Sequence, residues 1–431
     1  MSLRAYRIAP TDSTTFLPRL IGRHGAVAAN SYLSVDAGVD MLKAGGNAID
    51  AAVAATLVEG LVNPQMHTLG GECPILIRPA GASQVIAVNG NTAAPRAATP
   101  EAFRARGLAD VPEEGVLAAG APAAFSALMT VLERWGTMSL REVSAPARDL
   151  ASKGFALSAG LHHQHKYGLT ALRDKFLSDW PGSARLYLRE GEVPAAGTLI
   201  RNEALARTLD YLANEKDPLA AFYRGEIAAE IAKYSREREG LLAREDLGSF
   251  ETRIEMPVSL RFGDIELFKC GFWSQGPAEL QTIALMWPRL KATQPGSADY
   301  CHLLVEAMKL AYADREQYYG DPSQAAVPGD VLLSEEYSGK RSELIDMRKS
   351  NRELRPGDAR RNAALLPAEE RFTPKDWGPG TVHVDAVDAK GNVASFTPSG
   401  GWLKSAEVIE GLGFPLSVRM MTFYLGPAHH P

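Results

Sequence analysis

The chain has 431 residues, 45% hydrophobic and 23% charged, with a formal net charge of −5. This is the composition of a globular protein with a large core, and it excludes a disordered chain. No Lys/Arg-rich stripe offsets the acidic balance, so nucleic acid is excluded as a general partner and small-molecule chemistry is the natural alternative.

The N-terminal segment Met1–Pro10 has no apolar run of about 7–15 residues such as a secretory signal requires. No later segment offers about 18 uninterrupted apolar residues for a membrane span. The expectation is a cytoplasmic protein without a membrane partner. In chain order, residues 26–31 lead to a helix over 34–44, started by Ser34 and stopped by Gly45-Gly46. Asn47 caps a second helix, Ala48 to Leu61, with Asp50 in its first turn. That helix is Ala/Val-rich almost all round, which predicts burial on every side.

Leu69-Gly70-Gly71 turns the chain into strands at Pro74–Arg78 and Gln84–Asn89. From 122 to 235 helical spacing dominates, as in the Phe125, Leu128, Met129, Leu132 stripe. Val258–Phe262 and Ile265–Phe268 flank Gly263-Asp264 as a hairpin, and a long helix follows over 298–318. Residues 349–380 are polar, charged and punctuated by Pro and Gly, and they predict a surface linker. Two strands close the described pattern, 381–388 and 393–398. Cys73, Cys270 and Cys301 are odd in number and widely spaced; they support neither a disulfide framework nor a zinc site and predict buried free thiols.

Thr381 follows the turn-prone Asp376-Trp-Gly-Pro-Gly stretch and starts a strand abruptly. If the chain were cut before it, Thr381 would carry its own α-amine, and one residue would supply both nucleophile and base. A threonine beside a turn is otherwise an ordinary β-branched strand residue, so the case rests on its context. His383 on the same strand has no required role in such chemistry, and His162, His163 and His165 lack acids at metal-ligand spacing.

Several segments together resemble the γ-glutamyltranspeptidase (γ-glutamyltransferase) family of N-terminal nucleophile hydrolases. They are Asp36-Ala-Gly-Val-Asp-Met-Leu-Lys-Ala-Gly-Gly-Asn-Ala-Ile-Asp-Ala-Ala-Val-Ala, Ala221-Phe-Tyr-Arg-Gly-Glu-Ile-Ala, Glu306-Ala-Met-Lys-Leu-Ala-Tyr-Ala-Asp-Arg, and Gly380-Thr-Val-His with Asp388-Ala-Lys-Gly-Asn. The resemblance implies an α+β fold, a four-layer αββα sandwich. It also implies self-cleavage at Gly380–Thr381 into a large subunit, 1–380, and the start of a small one, 381–431. The implied catalytic residues are Thr381 as nucleophile and Ser399 as its hydroxyl partner, in the bend Pro398-Ser399-Gly400-Gly401. The implied chemistry is amide hydrolysis or acyl transfer through an acyl-threonine, with no cofactor and no metal.

Two departures bear on the substrate. Where glutathione-using members have an arginine in Asp-Gly-Arg-Glu-Thr-Ala-Pro, this chain has Asn91, followed by Thr92, in Asn89-Gly-Asn-Thr-Ala-Ala-Pro. Where they have an aspartate pair for the substrate amino group, Met421-Thr422 stands in Ser417-Val-Arg-Met-Met-Thr-Phe. Loss of a bidentate clamp forfeits on the order of 10²-fold in binding, so glutathione is not the expected substrate. The substrate positions implied are Asn91, Thr92, Gly400, Gly401, Met421 and Thr422. The family's sequence continues beyond the point matching Pro431, which predicts a C-terminally truncated sandwich whose alternative role is that of an uncleaved pseudoenzyme.

Overall fold

The computed structural model describes residues 21–163, 165–371 and 380–425. The chain divides into two compact units: the larger comprises Gly22–Glu255 and Trp377–Leu425, and the smaller takes most of its residues from Met256–Asp376.

Eight strands matter here: β1 (Gly25–Ala28), β2 (Ile75–Arg78), β3 (Ile86–Asn89), β4 (Arg253–Glu255), β5 (Val258–Phe262), β6 (Ile265–Lys269), β7 (Val384–Asp388) and β8 (Val393–Phe396). In the larger unit six of them form one antiparallel sheet in the order β1-β7-β8-β2-β3-β4. The late hairpin β7-β8 therefore lies between two strands from the start of the chain, with Phe396 opposite Val384 on one side and Ile75 on the other. Strand β7 alternates as a half-covered strand should, with Val384 and Ala386 buried and Asp385 and Val387 exposed.

The buried face of the sheet packs on α2 (Ala48–Val62), every residue of which is buried, as its all-round apolar sequence predicts. Asn47 caps it in a capping box with Asp50. Its first turn is also tied to the sheet: Ala48 N–H donates to Asp388 Oδ2 at 3.0 Å. Burial opposes the charge on Asp388, but donors from Asn392, Ala48 and Lys390 outweigh it and hold the carboxyl below its ordinary value. Asp388 thus fixes the β7-β8 turn and the N-terminus of α2 together, where an acid also meets the helix dipole.

Several expectations need correcting. Helix α1 runs Tyr32–Lys43 and its cap is Ser31, which accepts from Leu33 N–H. Ser34 is instead buried and donates to Glu59 at 2.6 Å. Strand β7 begins at Val384, so Thr381 precedes it, in an isolated bridge to Ser399. Cys301 is exposed, in contrast to Cys73 and Cys270.

In the smaller unit β5 and β6 pair as expected about Gly263, whose φ of +68° suits a glycine turn. They accompany α3 (Gly276–Leu290), α4 (Ala298–Tyr318) and α5 (Glu335–Ser342). Part of the expected surface linker is packed there. Gly357 N–H donates to the buried Asp314, which also pairs with Arg341 at 3.0 Å, and Asp358, Ala359 and Leu366 are buried. A buried carboxylate needs donors, and the Gly357 backbone supplies one. Residues 372–379, including the turn before Gly380, lie outside the described residues.

Candidate active site

Backbone geometry places Ser399. Ser399 and Glu72 exchange both backbone hydrogen bonds, at 2.8 and 2.9 Å. The next two residues are glycines at φ +75° and +62°, a region L-residues with side chains avoid. Space forbids a side chain there too: a Cβ on Gly400 would lie 1.8 Å from Glu72 Oε2, and one on Gly401 would lie 2.2 Å from Thr68 Oγ1. Across from them Gly71 admits no Cβ either, since it would meet Ser399 O at 2.2 Å. The Gly70-Gly71 turn and the Ser399-Gly400-Gly401 bend are therefore matched halves of one close backbone contact. Beneath it His67 is fully buried, and its Nδ1 lies 3.1 Å from Ser399 O. A carbonyl only accepts, so Nδ1 carries the proton, and burial pushes the imidazole down to about 4.

The side chains converge on Ser399 Oγ. Thr381 Oγ1 lies 3.1 Å from it, Gly380 O at 2.9 Å, and Arg419 Nη2 at 2.7 Å. A serine hydroxyl has one proton and two lone pairs. Gly380 O can only accept and the guanidinium can only donate, so the Ser399 proton goes to Gly380 O and one lone pair goes to Arg419. The remaining lone pair takes the Thr381 proton. The Gly380 carbonyl has a second donor, Trp402 Nε1, at 2.9 Å, which also reaches Met66 O at 2.9 Å. The carbonyl immediately before Thr381 is thus held by two N–H or O–H groups, while the Thr381 hydroxyl points its proton away from it.

Arg419 is aimed by Glu72 and Ser417. Its Nη2 lies 3.5 Å from Glu72 Oε2, while Ser417 donates from Oγ to Glu72 Oε1 and accepts from Arg419 N–H at 3.1 Å. Glu72 is 1% exposed and burial pushes its carboxyl up, against the Arg419 charge and the Ser417 hydroxyl. The guanidinium also lies over the Trp402 ring, 4.7 Å from its centroid.

The remaining expected positions have contacts of their own. Asn91 N–H donates to Asn89 Oδ1 at 3.2 Å, and Asn91 Oδ1 accepts from Thr92 N–H at 3.0 Å. Thr92 donates to Ala121 O at 2.7 Å. Met421 is buried in an apolar cluster with Trp402 and Val418, and Thr422 donates to Arg419 O at 2.9 Å. His383 bonds to Thr397 and Asp385 and is half exposed. His162 and His163 are not part of any metal-binding group among the described residues, and the His165 side chain lies outside them. No described helix is long and apolar enough to cross a membrane.

Sequence reasoning missed Glu72, Arg419, Trp402 and His67. The available signal was a charged residue inside an otherwise apolar run, as with Arg419 in Leu416-Ser-Val-Arg-Met-Met and Glu72 after Gly-Gly.

The chain has the N-terminal nucleophile hydrolase fold of the transpeptidase and acylase type, as its likeness to solved structures shows. The sequence model for gamma-glutamyltranspeptidase matches residues 34–430, and the chain belongs to that family. It is similar to the glutathione hydrolase proenzyme of Escherichia coli strain K12, 31% identical over 383 residues, which is 87% of this chain and 62% of that protein. The chain therefore spans just under two thirds of that relative's length. Among solved structures it resembles LmbA2991HD, with 38% identity, a TM-score of 0.87, and coverage of 96% of this chain and 74% of that one. It also resembles the cephalosporin acylase from Bacillus halodurans, with 26% identity, a TM-score of 0.81, and coverage of 98% and 74%.

Proposed function

We propose that the protein is a self-processing amide hydrolase or acyltransferase in which Thr381 is the nucleophile. The supporting observation is the Gly380 carbonyl, held at 2.9 Å by both Ser399 Oγ and Trp402 Nε1 beside the Thr381 hydroxyl. Hydrogen bonds to a charged acceptor are about twice as strong as those to a neutral one, so both donors favour the oxyanion over the ground state.

In processing, Thr381 Oγ1 releases its proton toward Ser399 Oγ and bonds to the Gly380 carbonyl carbon. The tetrahedral intermediate collapses with cleavage of the Gly380–Thr381 C–N bond, and the nitrogen takes up a proton. Water then hydrolyses the resulting ester, leaving a Gly380 carboxylate, the Thr381 hydroxyl and a free Thr381 amine. In turnover that amine accepts the Oγ1 proton as the hydroxyl attacks a substrate amide. The acyl group passes to Thr381, the amine product leaves, and water or an acceptor amine releases the acyl group. The substrate is a small-molecule amide whose acyl part lacks an amino-acid head, since Asn91 and Met421-Thr422 lack the charges that would hold one.

Mass spectrometry of purified protein tests this: two pieces split at Gly380–Thr381 are expected, with Thr381→Ala remaining whole and Ser399→Ala splitting slowly. A single intact chain that binds amides without turnover would replace this reading with that of a pseudoenzyme.

A further inference from the structure

A small buried cavity lies between His67 and α2. We propose that it is a binding site for one water, hydrogen-bonded between the Thr56 hydroxyl and His67 Nε2, and that through this water Thr56 positions His67 and, with it, Ser399. The positioning role rests on the reading that Thr381 cuts the chain; the water site stands apart from it.

The cavity offers about 10 Å³ to a water-sized sphere, room for a single water. Its walls are Gly60 and leucines such as Leu128 and Leu205, and its two polar side chains are Thr56 and His67. A wholly apolar cavity of this size would stay dry, so the two polar groups decide its character. Thr56 is 0% exposed, and its Oγ1 has no hydrogen-bond partner among the described residues. Elsewhere in this chain a mid-helix threonine returns its proton to the carbonyl four residues back, as Thr130 does to Ser126 O at 2.8 Å and Thr282 to Ala278 O at 2.7 Å. Thr56 does not, and a buried hydroxyl left unpaired is costly.

His67 supplies the other end. Its Nδ1–H is committed to Ser399 O at 3.1 Å, which leaves Nε2 of the neutral ring as an acceptor. That edge of the ring faces α2: a Cβ on Gly60 would lie 3.3 Å from Cδ2 and 3.6 Å from Nε2. Thr56 stands four residues before Gly60, so it lies on the same helix face one turn away. Donor and acceptor thus open on one cavity from adjoining turns. A water there accepts the Thr56 proton and donates to Nε2, two bonds to otherwise unpaired groups. Donation to Nε2 keeps the imidazole proton on Nδ1, where it holds the Ser399 carbonyl, and the Ser399 hydroxyl in turn lies 3.1 Å from Thr381 Oγ1.

A high-resolution crystal structure of the full chain should show density for one water within hydrogen-bonding distance of Thr56 Oγ1 and His67 Nε2; a dry cavity overturns the proposal, whether or not any variant folds. In solution the probe is the nitrogen NMR resonance of His67 Nε2, in protein with isotope-labelled histidine, assigned by its loss in His67→Asn. It should move downfield in Thr56→Val, which keeps the side-chain shape and removes the hydroxyl, and return in Thr56→Ser. Self-cleavage at Gly380–Thr381 should slow in Thr56→Val by about twofold to tenfold, the worth of one neutral hydrogen bond, and recover in Thr56→Ser, with thermal melts to confirm each fold. An unmoved resonance overturns the site, and a moved resonance with native cleavage overturns the positioning role. If the native chain stays whole, the hydrolase reading fails separately, and the density and the resonance still decide the water.

Discussion

Trp402→Phe isolates one donor on the Gly380 carbonyl. The ring is 2% exposed, and phenylalanine fills most of its space, costing about 1–2 kcal/mol of stability. What is lost is the N–H that lies 2.9 Å from both Gly380 O and Met66 O. In the ground state that bond to a neutral carbonyl contributes about 1 kcal/mol, and to an oxyanion about 1.5–3 kcal/mol. The difference, about 1–2 kcal/mol, belongs to the transition state alone. Deleting an oxyanion donor in other hydrolases costs about 3 kcal/mol. Together these place the slowing of self-cleavage at about tenfold to a few hundredfold, with Ser399 still holding the carbonyl. The assay is refolding followed by timed quenching, with mass spectrometry of the 1–380 and 381–431 pieces and a thermal melt to confirm the fold. A folded variant that cleaves within twofold of the native rate would refute the donor role and, with it, the account of Gly380 activation.

Arg419→Met removes the donor to Ser399 and leaves Glu72 buried beside an apolar chain. The expected loss is about 3–5 kcal/mol of stability at neutral pH, read by denaturant unfolding, and the double variant with Glu72→Gln should recover a large part of it. Recovery of stability without recovery of cleavage would separate Arg419's positioning of Ser399 from its pairing with Glu72; recovery of neither would refute the pairing. His67, pushed down to about 4 from an ordinary 6.5, binds its proton more readily in the unfolded chain. Its contribution is therefore fully present above pH 6.5 and is lost as pH falls from 6.5 toward 4, by about 3 kcal/mol. Unfolding of His67→Asn over that range should show a shallower pH dependence, and an unchanged slope would exclude His67 as its source.

Local signals in the sequence were enough for most of the elements. The all-round Ala/Val pattern of α2, the Asn47 cap, the Gly263-Asp264 turn and the strand alternation after Thr381 each depend on residues a few positions apart, which is the range over which periodicity and capping operate. Thr381 and Ser399 were named on the family resemblance, and the same pattern made the departures at Asn91 and Met421-Thr422 visible. The choice of Ser31 over Ser34 as the α1 cap was tertiary: Ser34's hydroxyl was taken by Glu59, 25 positions away. So was the packing of residues 356–359, whose polar sequence suits solvent until a buried Asp314 requires a backbone donor. The groups around Ser399 and Gly380 were decided the same way. Glu72 reaches Ser417 across 345 positions and His67 reaches Ser399 across 332. A buried charge or an unpaired hydroxyl acquires meaning only from what the fold places against it, because desolvation and hydrogen bonding depend on distance in space and are blind to distance along the chain.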